Sequence, residues 1–450
     1  MPDVRVMNLA PSGGWWSNRG LIYLNLCLGL SLITSYTHGY DEAIGNSLQI
    51  IPAWQKYFNH PTSNILGLII SAQSVGTLAA LPIVPFLCDQ LGRRNTLLSG
   101  ALLMLWGIAL QVTSTDLAQF ILSRGLIGFG LCFSTSASPL LIVELAHPMQ
   151  RARLTSSYNA FCYVGSITVA WITFGTFRIP TAWSWILPSL FQALSPVLQV
   201  LLIWLTPESP RWLISKGRDR EAVEILAAYH ANGNIKDPLI QHEYMEIKDA
   251  LATEEKAKKA STYASLFTNS QNFKRMRIII ALGFFSQWSG NGLVSHYISI
   301  ILDDLGIDKV EAKTTINGCL QIFNLAMALG AALFVERIGR RKLFLASNAG
   351  MFLAFSVWAA FIVLRTEKGY LWTQKASVAL MFIFFGFYNI AYMPLLVTYC
   401  LEILPFEIRA KGFSVMNLTV SVALALNQYV NPVALARFGW KFYLVQVSPD

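Results

Sequence analysis

The sequence has 450 residues, of which 54% are hydrophobic and 13% are charged, and its formal net charge is +9. A chain this apolar has more hydrophobic side chains than the core of a soluble domain can bury. The composition therefore excludes a soluble globular protein. The basic residues lie in short loops between apolar runs, a pattern that indicates membrane topology and not nucleic-acid binding. The six cysteines stand at neither disulfide nor metal-ligand spacings, and we expect no metal and no cofactor.

Eleven apolar segments are each long enough to cross the roughly 30 Å hydrocarbon core of a bilayer. They predict transmembrane helices and hence an all-α, polytopic membrane protein. Lys and Arg are concentrated in alternate loops, which the positive-inside rule places in the cytoplasm together with the N-terminus. The predicted spans are residues 21–40, 65–87, 96–114, 119–143, 157–177, 183–205, 278–301, 314–335, 343–364, 378–400 and 413–436.

A hydrophilic stretch divides these spans into two sets. Residues 1–20 form a cytoplasmic N-terminal segment, residues 21–205 a six-helix half, and residues 206–277 a cytoplasmic linker with short helices. Residues 278–450 form the second half, with five full spans. Residues 440–450, eleven residues beyond the last span, reach about 16 Å as a helix, half the required length, so we expect a partial twelfth helix.

Two charged motifs occur twice, about 250 residues apart. In both copies the acid and the arginine of the second motif are separated by the same interval. Two sets of spans related by a parallel repeat predict two pseudo-symmetric six-helix halves of a secondary transporter. The repeated residues are Asp89 to Arg94 with Glu336 to Arg341, and Glu144 and Arg151 with Glu402 and Arg409.

The chain carries eight short motifs in order: Gly39-Tyr40-Asp41, Asp89 to Arg94, Arg124 to Gly130, Glu144 with Arg151, Pro207 to Leu213, Gln287 to Gly290, Glu336 to Arg341, and Glu402 to Gly412. In combination these motifs resemble the sugar porter family of the major facilitator superfamily, most closely its fungal lactose and cellodextrin permeases. The resemblance implies the major facilitator superfamily fold and alternating-access transport of a sugar, with proton symport, in the plasma membrane. It implies no covalent chemistry, so we expect no enzyme activity.

Several positions depart from the family pattern. The paired glutamines of the seventh span are Ser286 and Gln287, the glutamine of the fifth span is Asn159, and the tyrosine pair is His296 and Tyr297. Rules for a single-hexose pocket therefore transfer poorly. We expect the sugar to be a disaccharide, an oligosaccharide or a hexose.

Asp41, at the end of the first span, and Arg124, in the fourth, are candidates for proton coupling. An acid at membrane depth is costly unless it is protonated or paired, so a carboxylate that alternates between a proton and an arginine can drive a conformational change. In proton-coupled members of the resembling family, the matching acid and arginine have this role. The alternative is that Asp41 caps the helix toward the water outside.

Sugar recognition needs amide groups for the hydroxyls and an aromatic face for the C–H side, on helices around a central cavity. Amides within apolar spans supply these groups, although membrane helices also use amides to bond to one another. The predicted substrate-binding residues are Asn159, Gln287, Trp288, Asn291, Asn317, Gln321, Asn324, Asn389 and Asn427, with Gln428 beside the last.

The charged residues of the two repeats form a predicted cytoplasmic gate, because arginines and acids at desolvated helix ends can form bidentate networks. The alternative is that these residues form exposed ion pairs on the surface, which contribute little to stability. The predicted gate residues are Asp89, Arg93, Arg94, Glu144, Arg151, Glu336, Arg340, Arg341, Glu402 and Arg409.

The expected partners are a small-molecule sugar, a proton and the lipid bilayer, and we expect a monomer. Two other functions remain open from the sequence. One is a sensor or truncated relative that binds sugar without transporting it, and the other is efflux of a sugar-like or glycosylated metabolite.

Overall fold

A computed structural model describes residues 18–260, 263–368, 370, 372–439 and 441–442, and all regular secondary structure in these residues is helical. The predicted all-α class is therefore confirmed. Most of the predicted N-terminal segment and of the partial twelfth helix lies outside the described residues, as does the side chain of Glu336.

Two of the long helices before the linker begin at polar side-chain caps. The Asn18 side chain accepts a hydrogen bond from the Leu21 amide at 3.3 Å, and Asp116 accepts one from the Gln119 amide at 2.7 Å. Such caps satisfy amides that a helix start leaves unbonded. This first group consists of α1 (Arg19–Gln49), α2 (Pro52–Tyr57), α3 (Ser63–Ala80), α4 (Val84–Leu91), α5 (Arg93–Val112), α6 (Leu117–Leu145), α7 (Pro148–Thr176), α8 (Trp183–Phe191) and α9 (Leu194–Leu202), followed by a 3-10 turn, Ile203–Leu205.

The linker is helical and is bonded to the end of α6. The His230 ring lies 2.8 Å from a Glu243 carboxylate oxygen through Nδ1 and 3.1 Å from the Leu145 carbonyl oxygen through Nε2. The linker helices are α10 (Pro210–Ser215), α11 (Asp219–His230), α12 (Pro238–Ala260) and α13 (Ser265–Thr268).

The seventh predicted span is two helices. Gly290 has a φ of +87°, a left-handed conformation that stops α14 and starts α15. The prediction of one continuous helix over residues 278–301 is therefore wrong, because the backbone reverses its helical sense at this glycine. The second group consists of α14 (Ser270–Trp288), α15 (Asn291–Asp304), α16 (Val310–Ile338), α17 (Arg340–Lys368), α18 (Trp372–Ile403) and α19 (Phe406–Phe438).

Within the described ranges, eight helices are long and apolar enough to cross a membrane. They coincide with eight of the eleven predicted spans. The other three predicted spans correspond to α7, to α16 and to the pair α14 and α15. The first two are helical but more polar, and the pair is interrupted between its two helices.

The two groups of helices pack side by side, with contacts between α3 and α19, between α7 and α16, and between α1 and α15. We call the end of the bundle that carries residues 206–268 the linker face and the other end the opposite face. An aromatic cluster that includes Trp54, Phe120 and Trp185 fills the first group near the opposite face. We call the boundary between the two groups the seam.

Candidate functional site

The Asp41 carboxyl is wholly buried inside α1, which continues to Gln49. The predicted helix end at residue 40 is wrong, since the apolar run stops there but the helix does not. The interpretation of Asp41 as a cap exposed to outside water is also wrong, because a side chain with no exposed surface meets no water there. The carboxyl lies within the bundle and needs partners from the protein.

Those partners come from the turn between α8 and α9 and from α6, and the α6 partner is in turn bonded to α3. Gln192 donates a hydrogen bond to Asp41 Oδ1 at 2.6 Å. The Arg124 guanidinium donates to the main-chain carbonyl of Asp41 at 3.2 Å and also to the Gln73 side-chain oxygen. The structure thus brings the predicted pair, Asp41 and Arg124, together, but Arg124 bonds to the main-chain carbonyl of Asp41 and not to its carboxyl. No ion pair between the Asp41 and Arg124 side chains occurs in the described part of the chain.

This centre holds polar atoms whose bonding is incomplete. Asp41 Oδ2 and the Nε and Nη1 atoms of Arg124 are buried and lack a hydrogen-bond partner among the described residues. A buried polar atom without a partner is costly, and a charged one more so. The two side chains are therefore adjacent, with one unpartnered oxygen on Asp41 and two unpartnered nitrogens on Arg124, an arrangement that a small movement or a proton can rebalance.

A second polar cluster joins the two groups at mid-depth. The Tyr163 hydroxyl in α7 donates to Asn389 Oδ1 in α18 at 2.5 Å, and Asn389 Nδ2 donates to Asn324 Oδ1 in α16 at 3.0 Å. Asn324 and Asn389 are both buried. Asn159, one helical turn from Tyr163 toward the linker face, is exposed. The seam therefore opens from this cluster toward the linker face.

Toward the opposite face, polar contacts close the seam. Gln428 accepts a hydrogen bond from Ser74 at 2.6 Å, and its amide nitrogen lies 3.1 Å from His296 Nε2. Gln49 donates to the His296 carbonyl at 3.2 Å. Asn427, beside Gln428, is buried and accepts from Asn431. These contacts tie α1 and α3 of the first group to α15 and α19 of the second.

The remaining predicted sugar contacts are spread over α14, α15 and α16. The Trp288 indole donates to the Ala423 carbonyl at 3.1 Å, and the Gln287 amide donates to the neighbouring Ser286 hydroxyl at 3.3 Å. Asn291 accepts from Ser295 at 3.0 Å. The Gln321 amide reaches Asn317 at 3.5 Å, as their spacing of four residues predicted, and Asn317 is the more buried of the two.

Sequence reasoning missed several residues that belong to these clusters. Gln73 and Gln192 are amides within apolar spans of the first group, so the signal that selected the other amides would have found them. Tyr163 bonds to Asn389 of the second group, and no pattern in the sequence indicates that this aromatic residue lies at the seam.

The first charge network lies at the linker face. Arg93 donates two hydrogen bonds to the Glu144 carboxylate, at 3.0 and 3.2 Å, and lies 3.7 Å from the exposed Asp89. Ser209 from the linker donates to Glu144 at 2.5 Å. The Glu208 carboxylate accepts from the Arg93 and Arg94 amides, at 3.0 and 3.1 Å, and so caps α5. Burial raises the pKa of Glu208 despite these bonds.

The second network is sparser. Arg340 donates to Glu402 at 2.7 Å. Arg341 is exposed, as is Arg151 in the first copy, whose place beside Glu144 is taken by Arg93. Arg409 donates to the Leu404 carbonyl at 3.4 Å. The Arg93–Glu144 and Arg340–Glu402 pairs each join two helices of one group and do not cross the seam.

With this geometry in view, comparison with known proteins identifies the chain. The family description "Sugar (and other) transporter" matches residues 27–448. The chain belongs to this family. It is 27% identical to the MFS-type transporter oryC of Aspergillus oryzae over 90% of this chain and 77% of that protein. It is 26% identical to high-affinity glucose transporter 1 of Candida albicans, over 92% and 79% respectively.

A plant relative and a bacterial structure complete the comparison. The chain is 28% identical to the chloroplastic D-xylose-proton symporter-like 3 of Arabidopsis thaliana, over 91% of this chain and 74% of that protein. The inward-open structure of the xylose transporter XylE from E. coli matches with a TM-score of 0.77, covering 94% of both chains at 18% identity. The predicted major facilitator superfamily fold is confirmed, and the chain is a multi-pass membrane protein of a sugar transporter family, not an enzyme.

Proposed function

We propose that this protein carries a sugar together with a proton by alternating access between the two groups of helices. The observation that carries the proposal is the buried Asp41 carboxyl, which has one unpartnered oxygen beside an arginine with two unpartnered nitrogens. In such a pair, the protonated and the ionised states of the carboxyl are close in free energy. Addition or loss of one proton therefore changes which contacts are favourable.

The proton step follows from the hydrogen bonds. When Asp41 is protonated, its carboxyl is neutral and Arg124 is satisfied in part by Gln73 and by the Asp41 carbonyl. When the proton leaves, the carboxylate attracts the free edge of the guanidinium, because an ion pair is the least costly state of two buried charges. This attraction moves α1 relative to α6, and α1 also borders the seam.

The sugar, in this proposal, binds in the seam between the Tyr163–Asn389–Asn324 cluster and the exposed Asn159. Amide and phenol groups there match the donors and acceptors of sugar hydroxyls. Polar contacts close the seam at the opposite face, whereas the seam is open toward the linker face. This arrangement supports one end state of alternating access, in which the site is open to the linker face. The names of the glucose and D-xylose relatives make these two sugars the first to assay, ahead of disaccharides.

The two groups are proposed to be halves that rock about this site, with the linker and the N-terminus in the cytoplasm of a plasma membrane. The Arg93–Glu144 and Arg340–Glu402 pairs are the proposed gate. Since each pair lies within one group, its role is to fix the helix ends of that half as a unit. The protein is expected to act as a monomer.

Uptake of labelled sugar into proteoliposomes with an imposed proton gradient tests the proposal. We expect the unchanged protein to accumulate sugar and to lose accumulation when the gradient is collapsed. Asp41→Asn should abolish accumulation but retain sugar exchange, because asparagine resembles the permanently protonated acid. Asp116→Asn is the matched control, since asparagine keeps the cap of α6 at this exposed site, and it should behave as the unchanged protein.

Three outcomes would contradict parts of this proposal. Full accumulation by Asp41→Asn would remove the role given to Asp41. Transport that does not depend on the proton gradient would show that the protein is a facilitator without proton coupling. Absence of both uptake and exchange, with sugar binding intact, would favour the sensor, and export alone would favour efflux of a sugar-like metabolite.

A further inference from the structure

Three side chains of different chemistry meet at mid-depth between α1 and α7. One ligand atom each from His38, Glu42 and Cys162 lies within 4.8 Å of the other two. The closest pair is Cys162 Sγ and His38 Nδ1, 3.6 Å apart. None of the three takes part in the Asp41 centre or in the charge networks described above.

The helices hold these groups in fixed positions. His38 and Glu42 are four residues apart and so lie on one face of α1. Gly39, between them, leaves no room for any side chain, because a Cβ there would lie 1.8 Å from the Cys162 carbonyl oxygen. Gly165 is packed in the same way against the Tyr36 carbonyl oxygen. This glycine contact between two backbones fixes Cys162 beside His38, and the Ser166 hydroxyl reinforces it with a 2.9 Å bond to the Gly39 carbonyl.

We propose that His38, Glu42 and Cys162 form a binding site for a divalent transition metal of the Zn²⁺ class. Nitrogen, sulfur and carboxylate oxygen are the ligands that Zn²⁺ takes in proteins, and three of them with an open fourth position make an accessible site. A tetrahedral Zn²⁺ with its usual bond lengths holds a sulfur and a nitrogen ligand about 3.5 Å apart. The observed sulfur-to-nitrogen distance of 3.6 Å fits this value.

The charges also balance. Zn²⁺ carries two positive charges, and a thiolate with a carboxylate supplies two negative ones, so the loaded site is neutral where an uncompensated ion is costly. Metal binding therefore releases the thiol proton to solvent.

Co²⁺ is the probe for this site, because a cysteine thiolate bound to Co²⁺ gives a sulfur-to-metal charge-transfer absorption that a thiol alone does not. The full chain, purified in detergent and free of metal, is titrated with CoCl₂ and then with ZnSO₄. We expect one Co²⁺ to bind per chain with the charge-transfer band, one proton to be released, and Zn²⁺ to displace the band. No sugar is present, so the result does not depend on the proposed transport function.

Variants decide whether the named residues form the site. Cys162→Ser should abolish the charge-transfer band, and His38→Gln should raise the Kd for Co²⁺ by more than the roughly 10- to 100-fold that loss of an outer-shell partner costs. Cys319→Ser, at an exposed free cysteine in α16, is the matched control and should leave the titration unchanged. Thermal unfolding without metal verifies that each variant is folded. A folded Cys162→Ser variant that keeps the band, or an unchanged protein that shows none, would overturn the proposal.

Discussion

The two copies of the charged motif differ in their surroundings although their sequences are alike. In the first copy, the Arg93 and Glu144 side chains are 11% and 7% exposed, whereas in the second Arg340 and Glu402 are 38% and 44% exposed. The first pair is bidentate, and in the second Arg340 reaches Glu402 through Nη2. Equal motifs therefore do not imply equal energies, because the strength of an ion pair depends on its access to water.

The linker is the source of this difference. It follows the first group directly in the chain, and its start folds over the first copy. Ser209 bonds to Glu144, Glu208 caps α5, and the Trp212 indole donates to the Asp89 carbonyl at 2.9 Å. The first copy thus joins three segments of the chain. The Arg340–Glu402 contact joins two, the start of α17 and the end of α18.

The largest effect is expected from Glu144→Gln. This change leaves the Arg93 guanidinium buried without its carboxylate, and removal of one partner of a buried pair costs about 3–5 kcal/mol. Thermal unfolding of the purified protein in detergent measures the loss. Glu224→Gln, in the exposed pair with Arg220, is the matched control and should change little. Equal and small losses in both variants would show that burial of the first pair adds no stability.

An effect of intermediate size is expected from pH, and only at the first copy. His147, which caps α7 three residues after Glu144, is buried in the turn at the linker face, and burial, aided by the neighbouring His230, lowers its pKa to about 4. Pro405 occupies the same position after Glu402 and cannot titrate. Above pH 6.5 the ring is neutral in both folded and unfolded chains and contributes nothing to the pH dependence of stability.

Between pH 6.5 and about 4 the unfolded chain takes up the His147 proton while the folded chain does not. Stability therefore falls as the pH falls, by up to about 1.4 kcal/mol for each pH unit. The measurement is the unfolding temperature at several pH values for the unchanged protein and for His147→Asn, whose amide can still cap α7. The variant should have the shallower pH dependence, and parallel curves would contradict this account.

The smallest effect is expected from Glu402→Gln. The second pair is exposed enough for water to replace the lost contact, and exposed pairs contribute about 0–1 kcal/mol. The unfolding temperature should stay close to that of the unchanged protein. A loss as large as that of Glu144→Gln would mean that the two copies are energetically equal after all.

Much of the fold was predictable because it depends on local properties of the chain. Runs of apolar residues of bilayer length, with basic loops between them, are sufficient to predict membrane helices, and the ordered motifs identify the family. The errors also have local causes. The helix that contains Asp41 continues beyond its apolar run because its polar face is buried against other helices. The seventh span breaks at Gly290, where the backbone adopts a left-handed conformation.

The sequence by itself determined that the chain spans a membrane, carries a repeated charged motif and places Asp41 and Arg124 on separate helices. Only the tertiary structure decided what each of these residues touches. Gln192 comes from the turn between α8 and α9, and Gln73 and Cys162 come from α3 and α7. Backbone approaches such as that of Gly39 to Cys162 set their distances. Residue spacing fixes neighbours within one helix, whereas contacts between helices depend on how whole faces pack, which no local pattern encodes.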